Sequence, residues 1–212
     1  MTKFDQLKED IVTGKLESAV ANVRIALDEG LEPQEIINDY LIKGMEEIGQ
    51  RFEERKAFVP NLLMSARAMK GCLEILKPLF KDGETATIGK VVIGTVKGDL
   101  HDIGKNLVAS MFEGCGFEVI NLGIDVSSEQ FIKAIKEHNA DILCLSALLT
   151  TTMNYMKEVV TSLENTGLRN KVKIMIGGAP INEAFARRIG ADAYSPNASA
   201  AIQKAKELIR VN

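Results

Sequence analysis

Tryptophan is absent from these 212 residues, histidine occurs twice, cysteine three times and proline five times. Each scarcity excludes something. Cys72, Cys115 and Cys144 are odd in number, far apart and set in apolar surroundings, so buried free thiols are expected. No CxxC pair is available for structural zinc or an iron-sulfur cluster. No cluster of Lys and Arg stands out and the formal net charge is -3, which leaves out the concentrated positive charge that phosphate contacts need. No apolar run approaches the roughly twenty residues that cross a bilayer, and Met1 to Gln6 has no apolar signal core. The expectation is a cytoplasmic protein that binds neither nucleic acid nor membrane. With 46% hydrophobic and 26% charged residues, the composition is that of an ordered globular chain, long enough for one large domain or two ordinary ones.

The first eighty residues read as consecutive helices. Phe4, Leu7 and Ile11 recur at helical spacing up to Gly14, and Leu16, Ala19, Val20, Val23 and Leu27 repeat the pattern up to Gly30. Pro33 opens a longer helix with its stripe at Ile36, Ile37, Tyr40, Leu41, Met45, Ile48 and Phe52, and Pro60 opens a fourth that ends at Pro78. Short connections between four helices predict a bundle. The stretch Lys81 to Thr87 loses all periodicity, which sets the expected boundary between a helical domain over 1–84 and a second domain over 88–212. Beyond it the pattern changes. Apolar runs at Val91-Ile93, Phe117-Ile120, Ile142-Leu145 and Lys173-Ile176, with a weak fifth at Asp192-Tyr194, alternate with helical patterns. One helix is announced by Ser127 or Ser128 as N-cap with Gln130 in a capping box, and the last runs from about Ala198 to Arg210. Five such alternations predict an α/β domain, a flavodoxin-like doubly wound parallel sheet of order 2-1-3-4-5.

The unusual residues fall at carboxyl ends of predicted strands. Gly98, Asp99, Leu100, His101, Asp102, Ile103 and Gly104 follow the first, Ser146, Leu148, Thr150, Thr151 and Thr152 follow the third, and Gly177-Gly178-Ala179-Pro180 follows the fourth. Parallel strands bring these loops to one edge, so one ligand can touch all of them. A solitary loop histidine is usually a solvated side chain, and His138, in the polar end of a helix, suits that reading. His101 differs in its company: a carboxylate two residues earlier can accept its second ring N–H, the arrangement that metal-ligating histidines use. One histidine cannot hold a bare metal ion, so a metal here arrives inside a cofactor with its own ligands. Neither GxGxxG nor a P-loop is present, because Gly104-Lys105 is followed by Asn106. Gly177-Gly178 reads as a tight turn that also leaves room for a bulky ligand, and Thr150 to Thr152 as an N-cap with one hydroxyl free to face it.

The sequence resembles the cobalamin-binding proteins of the methionine synthase type, most closely the small corrinoid proteins of methyltransferase systems. Their signature is DxHxxG, 41 residues, SxL, about 26 to 28 residues, and GG. Here Asp99-Leu100-His101-Asp102-Ile103-Gly104 is followed after 41 residues by Ser146-Ala147-Leu148 and after 28 more by Gly177-Gly178. The resemblance covers nearly the whole chain, because Gly44 to Gly49, Phe52 and Phe58 to Met69 are similar to the family's helical cap. It implies cobalamin, as methylcobalamin, cob(I)alamin or a related corrinoid, bound base-off with His101 as the lower ligand of cobalt. Asp99 then bonds the other nitrogen of His101, and Thr152, six positions after Ser146, completes a relay able to supply or accept a proton. Ser146, Thr150, Gly177 and Gly178 line the slot for the displaced nucleotide tail, with the stretch from Tyr194 to Ala198 closing its far side. Phe52, Val59 and Leu62 match the cap's apolar contact positions over the upper cobalt face.

The function so implied is that of a methyl carrier without catalytic residues of its own, one subunit of a demethylating system. A substrate:corrinoid methyltransferase methylates Co(I), and a corrinoid:tetrahydrofolate or thiol methyltransferase removes the methyl from methyl-Co(III). A reductive activating protein is the third implied partner. The alternatives are the binding subunit of an adenosylcobalamin mutase and a cobalamin-sensing regulator. The helical segment argues against the first, and the lack of any stretch left over for a DNA-binding or signalling module against the second. A receiver-like domain explains the α/β fold but neither the triple motif nor the bundle.

Overall fold

A computed structural model of the chain describes residues 4–80 and 87–210. The chain divides into two compact units, Met1–Ile88 with Glu113–Gly116, and Gly89–Phe112 with Phe117–Asn212. The boundary expected between Lys81 and Thr87 lies, but for Thr87, outside the described residues.

The helical unit contains α1 (Asp5–Val12), α2 (Leu16–Asp28), α3 (Pro33–Ile36), α4 (Ile42–Glu53) and α5 (Val59–Leu76). A π turn over Ile37–Leu41 joins α3 to α4, so the third expected helix runs continuously with one wide turn. Steps of four from Ile37 to Leu41 to Met45 overshoot an α-helical turn, and the wider winding keeps all three buried. Close crossings need residues without side chains: a Cβ on Gly44 would stand 2.7 Å from Ile11 Cβ. Periodicity did not foresee Asp10, a buried carboxylate inside α1. It is satisfied by Gln6 Nε2, Ser18 Oγ and Asn22 Nδ2 at 2.9, 2.7 and 2.7 Å.

The second unit is a five-stranded parallel sheet of order β2-β1-β3-β4-β5, as expected, with β1 (Lys90–Thr95), β2 (Glu118–Asn121), β3 (Ile142–Ser146), β4 (Lys173–Gly177) and β5 (Ala193–Tyr194). Helices α6 (Ile103–Gly114), α7 (Ser128–His138), α8 (Met153–Asn165), α9 (Glu183–Ile189) and α10 (Ala198–Arg210) follow the strands in turn. Ser127 and Gln130 form the capping box of α7. Chain direction reverses at β1, since β2 lies on one side of it and β3 on the other. Right-handed crossovers then put α6 on one face and α7 to α9 on the other. Val92, Val96, Leu143, Leu145, Ile174 and Ile176 build the core on the second face with Phe131, Met156, Val160 and Phe185. The loops after β1 and β3 lead to opposite faces at this reversal, and the crevice expected there is the place where such sheets bind ligands. Among the described residues, no helix is long and apolar enough to cross a membrane. Cys72, Cys115 and Cys144 are all buried, and burial pushes the thiols of Cys72 and Cys144 up to about 12.

Candidate functional site

Asp99 stands on the loop after β1 with no exposed side-chain area. Its Oδ1 meets His101 Nδ1 at 2.8 Å and accepts the His101 main-chain N–H at 3.1 Å. Its Oδ2 accepts the N–H groups of Leu148 and Leu149 at 2.8 and 3.3 Å and the Thr152 hydroxyl at 2.7 Å. The loop after β3 thus delivers three donors to a carboxylate on the loop after β1. Thr152 precedes α8 but its side chain does not cap the helix; its hydroxyl serves Asp99. Burial by itself raises the carboxyl pKa of Asp99, but the bonds from Thr152, Leu148 and His101 outweigh it and hold the group far below the ordinary range. Asp99 is therefore held as a carboxylate, and a carboxylate facing Nδ1 fixes the imidazole with its hydrogen on that nitrogen.

The other side of the imidazole is open. His101 is 49% exposed, and Nε2 has no hydrogen-bond partner among the described residues. The same two loops carry exposed apolar side chains that a sequence would normally bury: Leu100 at 67% exposure, Ile103 at 87% and Leu148 at 43%, with Leu149 also exposed. A Cβ on Gly104 would meet nothing within 4 Å, so the first turn of α6 is bare on this side. Thr95, buried at the end of β1, steadies the loop by donating to the His101 carbonyl at 2.9 Å.

Not every expected residue serves His101. Asp102, its neighbour in sequence, bonds Asn106 Nδ2 at 2.9 Å, and Asn106 leads into a group missed by sequence reasoning. There the buried Lys105 donates to Asn106 Oδ1 and Asn121 Oδ1 at 2.6 and 2.8 Å, and burial lowers its pKa. Thr150 is exposed and Ser146 half-buried beside Thr95 and Gly177 in the last row of the sheet. Gly98 has φ +81, and Gly178, with φ +135, passes so close to β3's loop that a Cβ would stand 1.8 Å from the Ala147 carbonyl oxygen. Tyr194 packs against the core of α7 to α9, and Ala198 is buried at the start of α10. Between them Ser195 holds a buried hydroxyl without a partner among the described residues. In the helical unit Leu62 is wholly buried, while Phe52 is half-buried and Val59 is exposed beside Phe58 and Leu63. His138 ends α7, which leads to the amino edge of the sheet, away from His101.

A carboxylate-fixed imidazole at the reversal point of a doubly wound sheet, on loops that expose apolar side chains, is the equipment of a domain that holds a large metal-bearing cofactor. Comparison with known proteins supplies its family. The B12 binding domain family matches residues 89–203, and a second family of the same description matches residues 3–77. The dimethylamine corrinoid protein of Methanosarcina barkeri is 46% identical over 97% of each chain. A cobalamin-binding protein from Desulfitobacterium hafniense DCB-2 shares the fold with a TM-score of 0.83 and 32% identity, covering 98% of this chain and 99% of that one. The methanol:cobalamin methyltransferase complex MtaBC from Methanosarcina barkeri contains a chain matched with the same TM-score and identity, over 97% of this chain and 79% of that one. The chain belongs to the B12-binding corrinoid proteins, and its cofactor is a corrinoid.

The residues fit that cofactor. A corrin ring is broad and flat, and the open space at Gly104 with the exposed apolar Leu100, Ile103, Leu148 and Leu149 on the same loops suits burial under a large apolar face. The orphaned Ser195 hydroxyl calls for a polar partner from outside the chain. No group of three His, Cys, Asp or Glu side chains able to hold a metal comes together among the described residues. His101 therefore suits a metal that brings its remaining ligands with it.

Proposed function

We propose that this protein is the methyl-carrying subunit of a methylamine-type methyltransferase system, with His101 as the lower axial ligand of its corrinoid. The observation that carries the reading is the Thr152, Asp99 and His101 relay, which leaves Nε2 unpaired on loops that expose apolar side chains. When bound, the corrinoid supplies a cobalt centre that takes up and gives up a methyl group. The protein's own groups set the terms. Asp99 keeps hydrogen on Nδ1, which leaves the Nε2 lone pair for the metal and makes the imidazole a stronger base. His101 would hold the cobalt through Nε2, with the Asp99 carboxylate 2.8 Å from Nδ1 orienting the ring. Leu100, Ile103, Leu148 and Leu149 keep water from the lower face.

Methyl donor and acceptor belong to partner enzymes. A substrate:corrinoid methyltransferase delivers the methyl, a second methyltransferase passes it to tetrahydrofolate or a thiol, and a reductive activating protein restores the cofactor. The near full-length relative named a dimethylamine corrinoid protein supports a methylated amine as the methyl source. The name of the MtaBC complex supports a methyltransferase as direct partner.

Replacing His101 by Ala tests the ligand. At neutral pH the holoprotein should lose the visible spectrum of a histidine-coordinated corrinoid and retain cobalamin about tenfold less well or worse; an unchanged spectrum and retention refute the assignment. For the donor, the reduced holoprotein is incubated with a dimethylamine methyltransferase and dimethylamine, and methylation is followed spectroscopically. Methylation with methanol and its methyltransferase, but not with the amine, would sink the methylamine reading.

A further inference from the structure

The loop that carries His101 is held at its main chain by a residue outside the signature motifs. Asp125, in the loop between β2 and α7, accepts the Gly98 N–H on Oδ1 at 2.7 Å, and its own N–H donates to the Asp99 carbonyl at 3.1 Å. The two bonds hold the Gly98–Asp99 segment at its two ends, at the Gly98 N–H and the Asp99 carbonyl. Asp125 has φ +54, a left-handed conformation that costs energy in any residue with a Cβ and that Asp and Asn tolerate best. Its side chain is exposed, so no core packing offsets that cost. The apolar interior starts at its neighbour Val126, which bridges Val96.

The clamp matters because the other bonds do not control the same thing. Leu148, Leu149 and Thr152 grip the Asp99 carboxylate, and Thr95 grips the His101 carbonyl. Between β1 and those grips stands Gly98, the residue of the loop freest to swing. The Asp99 N–H closes the turn around Gly98 by donating to the Val96 carbonyl at 3.1 Å, and Asp125 is what ties that turn to the loop after β2.

We infer that Asp125 is a positioning residue for the metal ligand: by tying Gly98 and Asp99 to the loop after β2, it holds the segment that presents His101 to the cofactor. The inference rests on the reading of His101 as axial ligand. Two substitutions separate the clamp from its side effects. D125N keeps an acceptor for Gly98 and suits the left-handed turn while it removes the charge. D125G keeps the turn without strain and removes the acceptor.

The full-length protein is prepared with 15N-histidine, loaded with cobalamin and reduced to Co(II). Electron paramagnetic resonance then shows a doublet from the coordinated histidine nitrogen. Added unlabelled imidazole converts it to the triplet of 14N, and the midpoint concentration measures how firmly His101 holds its place. Wild type and D125N should share one midpoint, and D125G should need about 3- to 10-fold less imidazole, while its apo form melts within a few degrees of wild type. Equal midpoints in wild type and D125G overturn the inference. So does a fall in D125N as large as that in D125G, since charge and not the clamp would then govern. A wild type without the doublet fails the axial-ligand reading itself and takes the inference down with it.

Discussion

Asp99→Asn exchanges one atom in the most heavily bonded side chain of the site, and its cost follows from counting donors. The carboxylate receives five: the Leu148 and Leu149 N–H groups and the Thr152 hydroxyl on Oδ2, the His101 main-chain N–H and ring nitrogen on Oδ1. A carboxamide has one acceptor oxygen. Turned towards Leu148, Leu149 and Thr152, it satisfies three donors and aims its own NH2 at the two from His101. The ring can escape by moving its hydrogen to Nε2, but the main-chain N–H stays unpaired. An unsatisfied buried donor, together with the lost charge assistance on the remaining bonds, costs roughly 2–4 kcal/mol. No reduction for solvent screening applies, since the side chain has no exposed area. The tautomer change matters as much, because hydrogen on Nε2 removes the lone pair offered to cobalt.

The pH dependence of this effect has a definite sign. The folded-state pKa of Asp99 is depressed, so its stabilisation is complete above the ordinary carboxyl pKa of about 4 and is lost as pH falls towards the folded value. Urea unfolding of the apo protein should show a wild-type advantage that is level from about pH 7 to 5 and shrinks below about 4. Imidazole 15N chemical shifts report the tautomer. A gap under about 0.5 kcal/mol at pH 7, or an Nδ1–H tautomer surviving in the variant, would refute the account of Asp99.

Other substitutions test the cofactor slot. Ser195→Ala removes a buried hydroxyl without a partner among the described residues, so the apo protein should gain up to about 1 kcal/mol in thermal or urea unfolding, whereas cobalamin should dissociate faster from the variant. A loss of apo stability would mean that the hydroxyl is already satisfied. Gly178→Ala sets a Cβ against the Ala147 carbonyl at φ +135, and it should cost about 3 kcal/mol or more along with most of the cobalamin binding; a stable variant that retains cofactor would show that the turn relaxes cheaply.

Much of the fold could be read from local pattern. The alternation of apolar runs with helical stripes implied the sheet order, and Ser127 with Gln130 announced the start of α7. Within the site, Asp99 and His101 were legible because a two-residue spacing lets their side chains meet. Asp102, expected with them among the cofactor-binding residues, turns its carboxylate to Asn106. Thr152 resembled a helix cap and proved to be a donor to Asp99. The resemblance grouped Leu62 with Val59 as apolar contact positions, but the helix turns Leu62 inward and leaves Val59 at the surface. Nothing in the sequence marked Asp125, whose role depends on where the loop after β2 comes to rest.

The sequence alone determined the two kinds of architecture, the order of the strands and the edge on which the signature residues gather, because periodicity and turn chemistry act over a few residues. The tertiary structure decided what those residues do. The donors that keep Asp99 ionised lie 49, 50 and 53 positions further along the chain, and only the parallel pairing of β1 with β3 brings them within reach. The ionised state of Asp99, the tautomer of His101 and the open Nε2 all follow from that pairing.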